Sequence, residues 1–276
     1  MRLLLVALLI SAVPAVAAAQ QGLGPREAYV ERRGLIELDS RCRLLSPSIA
    51  GALDVGVAQA RGSLLRAGWT NGQVLQLDQA VVSSARARTC TDARTTSAAE
   101  NARRAFGAWA NLGTMQFPGW ERTWVARRSA ISIPWRLSQS IDAPVAATFG
   151  VHEHDGAQSL ALALAPQAGR PFTAARLVMR DPRHTPAPEI SLPQRMGSGL
   201  EAGAPSPVTA QTVTGQRRVD RDAIVFAFPD TAFRDLLQLD PRESVVIELS
   251  AGRATQRILV EVGDIAAARA FLTLDR

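Results

Sequence analysis

Residues 245–262 read VVIELSAGRATQRILVEV, which is two apolar runs on either side of a glycine-containing turn. Apolar side chains recur at every second position: Val245, Ile247 and Leu249 before the turn, and Ile258, Val260 and Val262 after it. Successive side chains of a strand point to opposite faces, so each run predicts a strand with one buried face. Residues 250–253 have the length of a hairpin loop. We therefore expect an antiparallel hairpin here.

The same period of two begins at about residue 131. It recurs at Leu160, Leu162 and Leu164 and at Ile224, Phe226 and Phe228. These runs predict half-buried strands of an antiparallel sheet or sandwich. Asp264 then begins a predicted final helix. Residues 181–222 are rich in Pro, Gly, Ser and Thr, and we expect them to form a flexible excursion because they bury little apolar surface.

Upstream, residues 25–112 follow a helical period instead. Leu35, Leu38, Cys42 and Leu45 share one helix face, and three further stripes of this kind follow. Pro25 and Pro47 suit first helical turns, and Ser97 with Glu100 has the spacing of a capping box. Four helices with short connections predict a compact antiparallel bundle.

The two periodicities together predict an α+β protein. We expect an N-terminal antiparallel helical bundle at residues 20–115 and a connector at 116–130. An antiparallel β-rich domain at 131–276, closed by a C-terminal helix, would follow. The charge changes near the same boundary, since residues 41–128 hold 12 Arg but only five Asp and Glu.

The first 19 residues resemble a cleaved export signal. Arg2 precedes an almost unbroken apolar run at 3–13, and Pro14 and a small-residue stretch follow. Ala17 and Ala19 fit a signal-peptidase site, so we expect cleavage between Ala19 and Gln20 and a periplasmic mature protein. The apolar run is shorter than the roughly 20 residues of a membrane-spanning helix. No later stretch is long and apolar enough to cross a membrane, so we expect no transmembrane segment in the mature chain.

The chain contains only two cysteines, Cys42 and Cys90. Each lies near the C-terminal end of a predicted helix, the first and the third, which run parallel in an up-down-up bundle. Both ends then lie at the same pole. Because exported proteins meet an oxidising compartment, we expect one disulfide between them.

All 31 basic residues are arginines. The absence of Lys excludes a Walker A phosphate loop, a Schiff-base lysine and a Ser-x-x-Lys nucleophile. An exported protein rarely meets nucleic acid, so nucleic-acid binding is not expected. Several arginines could form a basic face for an anionic envelope component or an acidic partner protein, or they could simply face water. They are Arg61, Arg66, Arg86, Arg88, Arg94, Arg103 and Arg104.

The connector and its surroundings hold three tryptophans, Trp120, Trp124 and Trp135. Such a cluster could cover the junction of the two parts or offer a stacking platform for a glycan. Burial at the junction is the commoner role of large aromatic side chains.

Two of the three histidines lie in His152-Glu153-His154. Residues two apart on a strand point to the same side, so both could reach one metal ion, with His184 as a third ligand. The competing interpretation places them at an exposed turn formed by Asp155 and Gly156. A metal-dependent hydrolase therefore remains an alternative function, and no cofactor is expected.

The C-terminal end resembles that of invasion-associated locus B proteins. The likeness consists of Phe228-Pro229, a short helix at 231–237, the hairpin at 245–262 and a closing helix at 266–274. That family is β-rich, periplasmic and not known to be enzymatic. The resemblance implies a β-rich fold for this end of the chain. The missing motifs lead us to expect a non-enzymatic envelope protein that acts through protein or surface contacts.

Overall fold

The computed structural model describes residues 23–129, 134–188 and 205–274. The export signal predicted at 1–19 lies outside these residues. The helices are α1 Pro25–Cys42, α2 Pro47–Arg66, α3 Asn71–Arg86, α4 Ala93–Ala110, α5 Pro166–Gly169, α6 Asp230–Leu236 and α7 Ile265–Leu272. The strands are β1 Thr114–Pro118, β2 Thr123–Arg127, β3 Trp135–Ile141, β4 Ala147–His154, β5 Ala157–Leu164, β6 Ala174–Arg180, β7 Ala210–Val219, β8 Ile224–Phe228, β9 Ser244–Ala251 and β10 Ala254–Glu261. The α+β class is confirmed.

The four N-terminal helices form the expected bundle. α1 packs on α2 and α3, while α2 packs on α4 and on the C-terminal helix α7. Thr70 and Gln73 form a capping box that begins α3. The box expected at Ser97 is wrong: α4 begins at Ala93, where the side chain of Asp92 accepts a hydrogen bond from the Arg94 N–H. No helix within the described residues is long and apolar enough to cross a membrane.

One antiparallel sheet holds all ten strands in the order β1-β2-β3-β4-β5-β8-β7-β6-β9-β10. The hairpin expected at 245–262 is the β9–β10 pair, with Ile247 opposite Ile258. Strand β7 joins two halves of the sheet: residues 210–215 pair with β6, and residues 216–219 pair with β8. Part of the segment expected to be a flexible excursion at 181–222 is therefore a strand.

The connector expected at 116–130 also contributes strands, because β1 and β2 lie within 114–127. The buried carboxylate of Glu261, on the far edge strand β10, accepts hydrogen bonds from the backbone N–H groups of Trp120, Glu121 and Arg122. The backbone N–H and C=O of Glu261 also bond the side-chain amide of Gln139 on β3. The sheet therefore curls until its two ends meet.

A single hydrophobic core runs through both parts of the molecule. It joins helical residues such as Leu53 and Phe106 to sheet residues such as Phe149, Phe226 and Ile247. A smaller second cluster, around Tyr29 and Leu64 in the described helices, lies apart from it. Because the helices and the curled sheet share apolar burial, they are expected to fold together.

Candidate functional site

The predicted disulfide is confirmed. Cys42 and Cys90 are bonded, with Cα atoms 5.5 Å apart. Cys42 ends α1, and Cys90 follows the end of α3. The Arg41 guanidinium adds hydrogen bonds to the carbonyls of Ala85 and Arg88. This pole of the α1–α3 pair is thus fixed both covalently and by hydrogen bonds.

Three further contacts hold α1 and α3 side by side. The hydroxyl of Tyr29 donates to Asp78 at 2.8 Å, and Arg33 donates to the same carboxylate at 2.7 Å. Arg86 of α3 donates to Glu37 of α1 at 2.8 Å. Burial, followed by the Asp78 hydrogen bond, raises the pKa of Tyr29 to about 12. Tyr29 of α1 contacts Asp78 of α3, and Glu37, further along α1, contacts Arg86, further along α3. The two helices therefore run parallel.

An apolar groove of about 550 Å³ opens along this helix pair and is only partly enclosed. We call it the α1–α3 groove. Its apolar lining includes Val30, Leu35 and Leu38 of α1, and Leu77, Val81 and Ala85 of α3. Leu35 and Leu38 are buried, whereas Val30 and Leu77 are half-buried and Ala80, on its edge, is exposed. Apolar surface in this groove has no covering element among the described residues.

Four charged residues border the α1–α3 groove. Arg26, Glu27 and Glu31 lie toward the start of α1, and Arg88 lies at the disulfide end. Arg26 and Glu27 form an exposed ion pair at 3.8 Å. Neither Glu31 nor Arg88 forms a salt bridge with another described residue. Glu31 is close enough to Arg32, and Arg88 to Asp92, for their charges to interact. The groove therefore has a carboxylate toward one end and a guanidinium at the other.

On the opposite side of the bundle, α2 meets α7 through buried charge. The Arg66 guanidinium donates two hydrogen bonds to Asp264, one of them 2.8 Å long to Oδ2. Asp264 is 3% exposed. Burial raises the pKa of Asp264, although Arg66 opposes the shift. A Cβ at Gly62 would lie 1.8 Å from the Asp264 carboxylate, so this contact requires glycine on α2.

A second buried set of charges ties the loop before β9 to the helices. Asp240 accepts hydrogen bonds from Asn71 at 2.8 Å and from the Arg242 guanidinium at 2.9 and 3.0 Å. Arg242 also donates to the carbonyl of Trp69. Burial alone would raise the pKa of Asp240, but the hydrogen bonds and charge of Arg242 outweigh it and lower the pKa.

Arg180 and Glu243 form a third buried pair, with two parallel hydrogen bonds of 2.8 Å. Glu243 also accepts from the Asp240 backbone N–H at 2.7 Å. Burial raises the pKa of Glu243, and the Arg180 bonds only partly offset it. We call the three sets, Arg66–Asp264, Asn71–Asp240–Arg242 and Arg180–Glu243, the ion-pair seam.

A cleft of about 700 Å³ lies over the ion-pair seam. Arg61, Asn71, Arg180, Asp240 and Asp264 line it together with the first turn of α7. The Arg61 guanidinium donates to Asn71 at 2.7 Å. The charged groups of this wall are therefore bonded to other groups of the protein. Such mutual pairing is typical of a structural joint, whereas a catalytic site needs groups directed at a substrate.

The arginines proposed as a basic face have different surroundings. Arg66 is used in the ion-pair seam, and Arg86 pairs with Glu37. Arg103 donates to the Leu44 carbonyl, Arg104 to Asn101, and Arg94 to Asp92. Of the seven arginines proposed for the basic face, only Arg88 borders the α1–α3 groove.

The three tryptophans also separate. Trp124 is fully buried, and its indole N–H donates to the carbonyls of Glu261 and Val262. It therefore has no face open to a glycan. Trp120 is half-buried beside the Glu261 carboxylate. Trp135 is also half-buried and contacts the ring of His152, with centroids 4.8 Å apart.

The histidine pair lies on β4, just before the turn at Asp155 and Gly156. His152 is 8% exposed, and its Nδ1 has no hydrogen-bond partner among the described residues. Burial, and then the charge of Arg218, lower the pKa of His152. The rings of His152 and His154 are 6.5 Å apart. His184 is bonded to Asp181 at 2.7 Å.

Within 23–129, 134–188 and 205–274, no three His, Cys, Asp or Glu side chains come together as a possible metal site. His152, His154 and His184, the candidate ligands of the alternative metal site, are therefore not brought together as such a group. No family model matches the chain, and searches of curated proteins and of solved structures find no similar protein.

Sequence reasoning missed the α1–α3 groove and the ion-pair seam. The sequence held no separate signal for the groove, because most of its apolar lining belongs to the same helical stripes that predict core packing. The seam left a weak signal, the charged run Asp240-Pro241-Arg242-Glu243 directly before a buried strand.

Proposed function

We propose that this chain is an exported protein of the cell envelope that acts by binding a protein partner, without catalysis. The observation that carries the proposal is the α1–α3 groove. It is an uncovered apolar surface on a helix pair fixed by a disulfide. Grooves of this kind accept helices of partner proteins.

The rigidity of the helix pair favours binding. The Cys42–Cys90 bond fixes one end, and the Tyr29–Asp78 and Arg33–Asp78 contacts fix the other. A surface that is already held in its binding conformation loses little conformational entropy when a partner binds. A disulfide also persists best in an oxidising compartment, which supports export to the periplasm.

The placement of the polar groups favours binding over catalysis. The carboxylates of Asp240, Glu243 and Asp264 all form salt bridges with arginines. The three histidines do not come together as one group of ligands. The glycan alternative loses Trp124, which is buried.

Export is tested by the N-terminus of the protein recovered by osmotic shock from bacterial cells expressing the full chain. We expect the mature protein to begin at or within a few residues of Gln20. A recovered protein that retains Met1 would contradict the export proposal.

Partner binding is tested with a photo-crosslinking amino acid at Ala80, on the edge of the α1–α3 groove. The matched control is Ala108, an exposed alanine on α4. In intact cells we expect a discrete adduct from position 80 and none from position 108. Val30→Glu places a charge in the groove and should abolish the adduct. Equal labelling from both positions, or no adduct from either, would overturn the proposal.

A further inference from the structure

We infer that the α1–α3 groove binds a second copy of this chain, related by a two-fold axis that runs α1 and α3 antiparallel to their counterparts. This inference rests on the proposed function, because it names the partner for the same groove. Three observations support it: the polarity of the groove, the opposite charges at its two ends and the small residues along its middle.

The two ends of the groove differ because α1 and α3 run in the same direction. The start of α1 forms one end, and the Cys42–Cys90 bond marks the other. A two-fold axis across the groove therefore brings the α1 start of one copy to the disulfide end of the other. Antiparallel helices also place opposite ends of their dipoles side by side, which is the favourable arrangement.

The charges at the two ends of the groove are complementary under that rotation. Glu31 lies toward the start of α1 and Arg88 at the disulfide end, and each lacks a salt bridge to the other described residues. In the antiparallel arrangement each Glu31 faces the Arg88 of the other copy. The interface then contains two equivalent ion pairs, as an isologous interface requires. A partner of only one charge sign would satisfy one end of the groove and leave the other unmatched.

The middle of the groove permits close helix packing. The groove is bordered by Gly34 of α1, which has no side chain, and by Ala80 and Ser84 of α3, whose side chains are small. The α3 edge of one copy can therefore enter the groove of the other, as ridges enter grooves between packed helices. The result is a four-helix interface of two α1 and two α3 helices. It would also cover Leu23, which is 52% exposed.

The test is the mass of the mature protein in solution, measured by light scattering and sedimentation equilibrium across a concentration series. We expect a dimer in reversible equilibrium with the monomer. Ala80→Glu should give a monomer, because each groove would then receive an unpaired charge. Arg104→Glu, which removes an exposed arginine outside the groove, should leave the dimer unchanged.

A charge exchange sharpens the test. Glu31→Arg and Arg88→Glu should each weaken the dimer about tenfold or more, because each replaces attraction with repulsion at both ion pairs. The double variant should restore the dimer. Circular dichroism of each variant should match that of the unaltered protein, which separates loss of pairing from loss of folding.

Several results would overturn the inference. One is a monomer at all concentrations up to about 1 mM. Another is a dimer that resists Ala80→Glu, or a double variant no stronger than the singles. A monomer that carries a lipid in native mass spectrometry would assign the groove to an acyl chain. A monomer whose Ala80 position still crosslinks to a different polypeptide would preserve the proposed function while rejecting self-pairing.

Discussion

The two sides of the helical layer differ in the interactions that hold them together and in the surface that they leave open. On the α1–α3 side, the helices are fastened by a disulfide and leave an apolar groove uncovered. On the α2–α7 side, the helices meet the sheet through the ion-pair seam, in which Asp264, Asp240 and Glu243 are each bonded to an arginine. Among the described residues, the charges on the α2–α7 side are paired, whereas the apolar surface on the α1–α3 side has no covering element.

This difference separates stability from function. Buried charges tolerate no missing partner, so the ion-pair seam fixes how helices and sheet sit together. Apolar surface that remains uncovered costs free energy in water and is retained where a partner covers it. We therefore expect changes in the seam to affect folding, and changes at the groove to affect association.

The largest effect is expected in the ion-pair seam. Asp264→Ala leaves the Arg66 guanidinium without its partner in a mostly buried position and should lower the free energy of unfolding by about 3–5 kcal/mol. Urea denaturation measures the loss. Arg257→Ala, which removes an arginine that is 69% exposed and pairs with Glu248, should cost less than about 1 kcal/mol.

A double change distinguishes a lost charge partner from lost packing. Arg66→Met with Asp264→Leu removes both charges and keeps apolar volume, so it should be far more stable than Asp264→Ala. If the double variant were as unstable as the single one, the seam would depend on packing instead of ion pairing.

The next effect concerns the groove side. Replacing both cysteines, Cys42→Ala and Cys90→Ala, opens a loop that spans 48 positions and should cost about 2–4 kcal/mol. It should also weaken the self-association of the groove, whereas a seam variant measured under folding conditions should not. Unfolding and sedimentation of the same samples test both. An unchanged unfolding midpoint would mean that the helix pair does not need the bond.

Two glycines provide a matched pair of smaller effects. Gly62→Ala in α2 drives a methyl group into the Asp264 carboxylate and should destabilise the protein by about 1–3 kcal/mol. Gly107→Ala in α4 meets nothing within 4 Å and should stabilise it by about 0.5–1 kcal/mol. Thermal or urea unfolding gives both signs. Stabilisation by Gly62→Ala would contradict the close α2–α7 approach.

A further effect, comparable in size to that of the glycines, is a pH dependence in the α1–α3 pair. Tyr29 is the only tyrosine, so the ultraviolet absorbance of tyrosinate reports on it alone. Its ionisation should be centred near pH 12, because its pKa is raised from the ordinary value of 10.0 for a tyrosine. A raised pKa means that the native state keeps the proton longer than the unfolded state does. Its contribution is therefore complete below about pH 10 and is lost as pH rises toward 12.

Tyr29→Phe should remove this alkaline loss and cost about 1 kcal/mol at neutral pH, because the Asp78 hydrogen bond disappears. An ionisation near pH 10 in the folded protein would mean that the Tyr29–Asp78 contact is open in solution.

Much of the architecture followed from local pattern in the sequence. The β9–β10 hairpin, the starts of α1 at Pro25 and α2 at Pro47, and the Cys42–Cys90 bond were all predicted. Each depends on residues close in sequence, or on the direction of consecutive helices, so periodicity and turn chemistry suffice. Strand β7 was missed because its exposed polar side chains lack alternation, and its pairing with β6 and β8 defines it.

The sequence alone thus determined the class of each half of the chain and the partner of each cysteine. The tertiary structure decided which charges became buried partners and which apolar face stayed open. Arg66 and Asp264 are 198 positions apart, and Glu261 meets the turn after β1 from about 140 positions away. The periodicity of the sequence does not predict such contacts, because they form only when the curled sheet closes and α7 packs on α2. The groove is likewise a property of two helices together, since neither α1 nor α3 alone encloses it.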